Sequence, residues 1–268
     1  MPLTGYIGGG AATYHIFGGT LAKVLGHAMG SSTPVPILSL AYPLAPDVAI
    51  SEQVELAERT YVWLARVLRD GASAARAPTA PSIAIIGDSA GGGIAALLSQ
   101  RLAAAATAAA TATTWHVAAE RDEGPPPPAP SSLVLLSPAL EIRASGGTVT
   151  TNRLRDVLLS NATFRLLHAV LELNPKHTQT PERLFSPAFS ALHGSWAELP
   201  PTYVWAAEAE GLADDATRAA EAIRRAGGTV VEELASFSFH EAPVWAHVMP
   251  EAAAALKRIA RFMAENAK

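Results

Sequence analysis

Ser89 stands in Gly87-Asp88-Ser89-Ala90-Gly91-Gly92-Gly93, between an apolar run (Ile83 to Ile86) and a helical apolar pattern. Gly-x-Ser-x-Gly between a strand and a helix is the pattern of a nucleophile elbow. Such a turn lifts the serine Oγ above a sheet edge at a helix N-terminus, where developing negative charge is favoured. The plainer reading is a glycine-rich phosphate turn. Neither the Gly-x-Gly-x-x-Gly of dinucleotide sites nor a Gly-Lys-Ser/Thr is present there to support it. A serine nucleophile needs a base, and the base an orienting acid, in the chain order Ser, Asp/Glu, His for this architecture.

Of eight histidines, His240 and His247 follow the segments that could supply the acid. His240, in "SFSFHEAP" just past a strand-like stretch, is the expected base, while His247 suits a structural or surface role. His15, His27, His116, His168, His177 and His193 read as surface or satisfied core groups. The stretch "AAEAEGLADD" offers Glu208, Glu210, Asp214 and Asp215 as acids. Asp214 and Asp215 suit the first turn of a helix, where the macrodipole favours them. Glu208 is still close to the strand, and Glu210, on the loop, is best placed to reach His240. Backbone amides for an oxyanion hole are expected from Gly8 and Gly9 in "YIGGGAATY" and from Ala90, next to the serine.

These residues need a scaffold, and the chain alternates strand-like with helix-like segments. Strands are expected at Val35–Tyr42, in "SIAIIG", at Ser132–Pro138, at Pro201–Glu208 and in "GTVVEELAS". Helices are expected at Ser51–Asp70 with Ser51 as N-cap, in "GGIAALLSQRLAAAA", in "ADDATRAAEAIRRAGG" and in "PEAAAALKRIARFMAENA". Such alternation implies an α/β fold: a mostly parallel sheet flanked by helices on both faces. Residues 103–131 form a low-complexity stretch, a helix extension and then a proline-rich loop. Residues 143–199, between two core strands, carry a helix near Asp156–Leu173 and read as a lid insertion.

With 49% hydrophobic residues, the 268-residue chain has the material for a substantial core. A net charge of −4, spread along the chain, speaks against nucleic acid as a partner. The absence of cysteine excludes disulfides and thiolate chemistry. Apolar runs are too short for a membrane span, and the start lacks the basic stretch of a secretory signal, so a cytoplasmic location is expected.

Together the motifs resemble the hormone-sensitive-lipase-like branch of the α/β-hydrolases, over nearly the whole chain. "GDSAGG" is similar to that branch's nucleophile motif and "AYPLAPD" to its Tyr-Arg-Leu-Ala-Pro-Glu stretch. In "LPPTYVWAAEAEGLADD", Glu210 falls where many members have Asp and a lactonase-like subset has Glu; "GGTVVEELASFSFH" puts His240 on the catalytic histidine. The resemblance implies a single α/β-hydrolase domain with Ser89, Glu210 and His240 as triad. It implies ester or lactone hydrolysis without metal or cofactor. Three departures follow. Ile7 replaces the first histidine of His-Gly-Gly-Gly, Tyr42-Pro43 replaces Tyr-Arg, and the glycine loop lies close to Met1. The expectation is therefore an N-terminally shortened domain with a thinner roof over its pocket and a possible homodimer. The alternatives are a non-catalytic ligand-binding protein on the same fold, and a tailoring acyltransferase or amidase with the same triad.

Overall fold

The computed structural model of the protein describes residues 6, 14–75, 81–111, 127–142, 146–175 and 186–267. Among them four parallel strands pair in sequence order: β1 (Ala84–Asp88), β2 (Ser132–Leu136), β3 (Thr202–Ala207) and β4 (Val230–Ala235). Alternate residues of each strand project to opposite faces, and both faces are covered. Ile85, Leu133, Leu135, Val204 and Ala206 pack on one side with α2 (Ile50–Ala74), α3 (Ala90–Thr111) and α6 (Ala213–Arg225). On the other side Ile86, Val134, Leu136, Tyr203 and Trp205 meet α1 (His15–Ala28) and α7 (Pro250–Glu265). The central strand β2 is buried throughout. Such a strand, flanked and covered on all sides, must be apolar along its length, as Leu-Val-Leu-Leu is.

One of the five expected strands is absent: Val35–Tyr42 forms no ladder with β1. Pro34, Pro36 and Pro43 bring no N–H to a ladder. The N–H of Val35 is spent on the Ala22 carbonyl, at 3.0 Å. An apolar cavity of about 210 Å³ lies where this segment passes β1, lined by Ile37, Leu38, Ile83, Ala84 and Ile86 among others.

Two helix starts also differ from the sequence reading. The helix read from Ser51 begins at Ile50, with Ala49 as its capping residue. The Glu52 carboxylate accepts the Ala49 N–H at 2.7 Å, the part that an N3 residue plays in a capping box, and Ser51 lies inside the first turn. The helix read from Asp156 begins at Asn161 as α5 (Asn161–Glu172). Ser160 caps it by accepting the Thr163 N–H at 3.2 Å. Asp156 instead closes a turn, taking the N–H groups of Leu158 and Leu159 at 2.9 and 2.8 Å. A short α4 (Gly147–Thr151) precedes that turn. α3 carries the helical extension to Thr111, and residues 112–126 of the proline-rich stretch lie outside the described residues.

Candidate active site

Each of the four strands delivers a polar side chain just beyond its carboxyl end, the edge where open α/β sheets bind ligands. Ser89 follows β1, Ser137 follows β2, Glu210 follows β3 and His240 follows β4.

Ser89 adopts φ 50°, a left-handed conformation uncommon for a side chain with a Cβ. The turn is locked on both sides. The Ser89 N–H donates to the Leu136 carbonyl at 2.9 Å, and the Ser89 carbonyl accepts the Ala139 N–H at 2.8 Å. A Cβ on Gly87 would lie 2.2 Å from the Gly91 carbonyl oxygen, so strand and helix pass too closely for any side chain there. Ala90 is the first residue of α3, so its N–H has no partner within the helix. Gly8 and Gly9, the other expected oxyanion donors, and Ile7 beside them lie outside the described residues.

His240 is buried, with its Nε2 3.0 Å from Ser89 Oγ. Its Nδ1 lies 3.6 Å from Glu210 Oε2, longer than a hydrogen bond. Glu210 is fully buried. Its Oε2 accepts the Ser137 hydroxyl at 2.8 Å and the Ala207 N–H at 3.2 Å. Its Oε1 and the His240 Nδ1 have no hydrogen-bond partner among the described residues. Such contacts in resting sites are often long.

The structure therefore brings Ser89, His240 and Glu210 together, and leaves the other candidate acids elsewhere. Asp215 is buried and accepts the N–H groups of Leu140 and Glu141 at 2.8 and 3.0 Å. Burial, opposed by those bonds, lifts its pKa to about 7. Asp214 accepts the Gly147 N–H at 3.3 Å. Both sit in the first turn of α6. His247 is exposed and stacks on Trp245.

Four residues that the sequence did not single out complete the surroundings. Ser137 donates to Glu210, as above, and accepts the Glu241 N–H at 2.9 Å. Glu241 is left-handed, at φ 60°. Its Oε1 lies 3.3 Å from His240 Nε2, so that nitrogen faces both the serine and a second carboxylate. Asp88 is buried beneath this pair, its Oδ2 accepting the Tyr14 hydroxyl at 2.6 Å. Burial and then the Glu241 charge push the Asp88 carboxyl well above the carboxylate range. The charge on Glu241 is favoured despite burial, chiefly through His240. Burial works against a charge on His240, but Glu210 and Glu241 outweigh it and lift its pKa to about 10. The signal for Ser137 was its place after an apolar strand, on the same edge as Ser89; Asp88 and Glu241 are each the neighbour of a singled-out residue. Among the described residues no three His, Asp or Glu side chains are grouped to hold a metal ion.

The loop bearing Glu210 is tied down by residues of the segment between β2 and β3. Asn152 Nδ2 donates to the carbonyls of Glu208 and Glu210, both at 2.9 Å. Asp156 Oδ2 accepts the Gly211 N–H at 2.7 Å, and the Thr148 hydroxyl donates to the Gly211 carbonyl at 2.8 Å.

The family described as alpha/beta hydrolase fold matches residues 4–243. An acetyl-hydrolase of Streptomyces hygroscopicus is 28% identical over 136 residues, which are 50% of this chain and 42% of that protein. The match thus spans less than half of that relative's length. A hormone-sensitive lipase from a metagenome library superposes with a TM-score of 0.74 at 22% identity, covering 99% of this chain and 76% of that one. An esterase of the bacterial hormone-sensitive lipase family gives a TM-score of 0.76 at 24% identity, covering 100% and 75%.

Proposed function

This chain belongs to the alpha/beta hydrolase fold family, and from that premise we propose that it is a serine hydrolase cleaving carboxylic esters or lactones through an acyl-enzyme on Ser89. The observation that carries the reading is the 3.0 Å contact between Ser89 Oγ and His240 Nε2, with Glu210 behind the imidazole. Ser89 attacks the ester carbonyl as His240 Nε2 takes its proton. Glu210 fixes the imidazole's orientation and balances the cation that forms. The Ala90 N–H, with amides of the glycine loop at Gly8 and Gly9, carries the oxyanion. The tetrahedral adduct collapses, and His240 returns the proton to the departing alcohol. Water then repeats the cycle on the acyl-serine, and the carboxylic acid leaves.

The Streptomyces relative is described as an acetyl-hydrolase, which makes acetate and other short acyl esters the first substrates to offer. Residues 143–199, which grip the Glu210 loop, serve in this reading as the lid over the acyl pocket. The decisive experiment pairs a fluorophosphonate probe with p-nitrophenyl acetate. Wild type is labelled at Ser89 and turns over. Ser89→Ala keeps the wild-type melting temperature, takes no label and loses at least about 10³-fold in kcat. Equal turnover by the two proteins would end the serine-hydrolase reading.

A further inference from the structure

Catalysis by His240 requires a neutral imidazole with its Nε2 lone pair free for the serine proton. The structure gives that nitrogen two partners, Ser89 Oγ at 3.0 Å and Glu241 Oε1 at 3.3 Å. We propose that Glu241 is a positioning residue that holds His240 as a cation in the resting site and so sets the pH above which it works as a base. The proposal rests on the serine-hydrolase reading and deepens it by naming the regulation of the same site.

The geometry singles out Glu241. It is next in the chain to the base, yet its left-handed backbone turns the carboxylate back onto the ring. The Glu241 N–H on Ser137 Oγ, at 2.9 Å, fixes that turn, and Ser137 in turn holds Glu210. The two carboxylates are thus registered on opposite nitrogens by a single hydroxyl. The other titratable groups facing the imidazole are Asp88, at the end of β1, and behind it Tyr14, which donates to Asp88. Among the described residues, no Arg or Lys lies within ion-pair distance of Glu210, Glu241 or Asp88. Asp88, whose carboxyl favours the neutral form, needs no counter-charge, and the cation facing Glu210 and Glu241 is His240 itself.

The resting imidazolium carries protons on both nitrogens, with Nε2–H shared between Ser89 and Glu241. Activation is loss of that Nε2 proton to solvent, after which Nε2 accepts the serine proton. Glu241 opposes the loss by its charge, and Gln at the same position would not. kcat/KM therefore rises with pH as His240 in the free enzyme deprotonates.

The test combines a pH profile of kcat/KM on p-nitrophenyl acetate with ¹⁵N NMR titration of the His240 imidazole, in wild type, Glu241→Gln and Glu241→Gly. Glycine tolerates the left-handed backbone, which guards against a folding defect in the glutamine variant. In both variants we expect the His240 titration and the acid limb of kcat/KM to move down by about one pH unit or more. On that limb, one unit is about a tenfold gain in kcat/KM at fixed pH. An unmoved titration and limb in either folded variant would overturn the proposal. The NMR arm separates the two readings: without any esterase activity or Ser89 labelling the hydrolase reading falls, while the His240 titration still decides the role of Glu241.

Discussion

Ser137 makes two hydrogen bonds that bear on opposite sides of one imidazole, and neither bond is visible in the sequence. A hydroxyl at the end of a buried strand reads as an ordinary end-of-strand residue; only the register Leu136↔Trp205 brings it against Glu210. We expect Ser137→Ala to lower kcat by about 10- to 100-fold with a smaller change in KM. The reason is that a loosened Glu210 lets His240 drift from Ser89, and misplacement of about 1 Å can cost that much. Steady-state kinetics check the split, and a loss confined to KM would argue against a positioning role. Ser89, Glu210 and His240 were legible because chain order and the place of each beyond a strand suffice to predict their meeting. Glu241 and Asp88 were not legible as members of the site, since adjacency in sequence does not say which way a left-handed residue turns its side chain.

The parallel sheet and the places of its four strands were legible from alternation, because β1, β2 and β3 are largely apolar runs; β4, which carries Glu232 and Glu233, was read from its valines, and α1 was not read at all. Val35–Tyr42 was misread on the same ground: its apolar residues are real, but proline supplies no N–H for a ladder. Ser51 was misread because the cap signal was present, while the helix starts one residue earlier and Glu52 closes it from within. This yields a paired expectation. Ser51→Ala should change stability by no more than about 0.5 kcal/mol. Glu52→Ala should cost about 0.5–2 kcal/mol, as lost caps do. Urea unfolding measures both, and a costly Ser51→Ala would contradict the observed cap. The elbow gives a sharper test. In Gly87→Ala the new methyl would collide with backbone, which cannot rotate away, and overpacking of this kind costs about 1–3 kcal/mol or more. Fluorophosphonate labelling of Ser89 should be lost as well, even in protein that stays folded by circular dichroism.

For the molecule as a whole, the site's charge makes stability depend on pH. His240 has a folded pKa of about 10 against an ordinary 6.5. Between those values the native state binds one proton more than the unfolded chain. The stabilising contribution is complete below pH 6.5 and is lost as the pH rises through 10. The melting-temperature advantage of wild type over His240→Gln should therefore shrink steadily across that window by calorimetry, and a constant difference would mean that His240 is not charged in the folded state. The hydrogen bonds of Thr148, Asn152 and Asp156 to the loop Glu208–Gly211 carry a different consequence, one for descent. The segment proposed as the lid also holds the candidate acid in place, so exchanging one between relatives should require exchanging the other. A recombinant receiving the 143–199 segment of a relative without its Glu208–Gly211 loop should lose kcat while keeping its fold. Co-transfer of the loop should restore the rate. Diversification at this edge would then proceed by exchange of matched pairs rather than of lids alone.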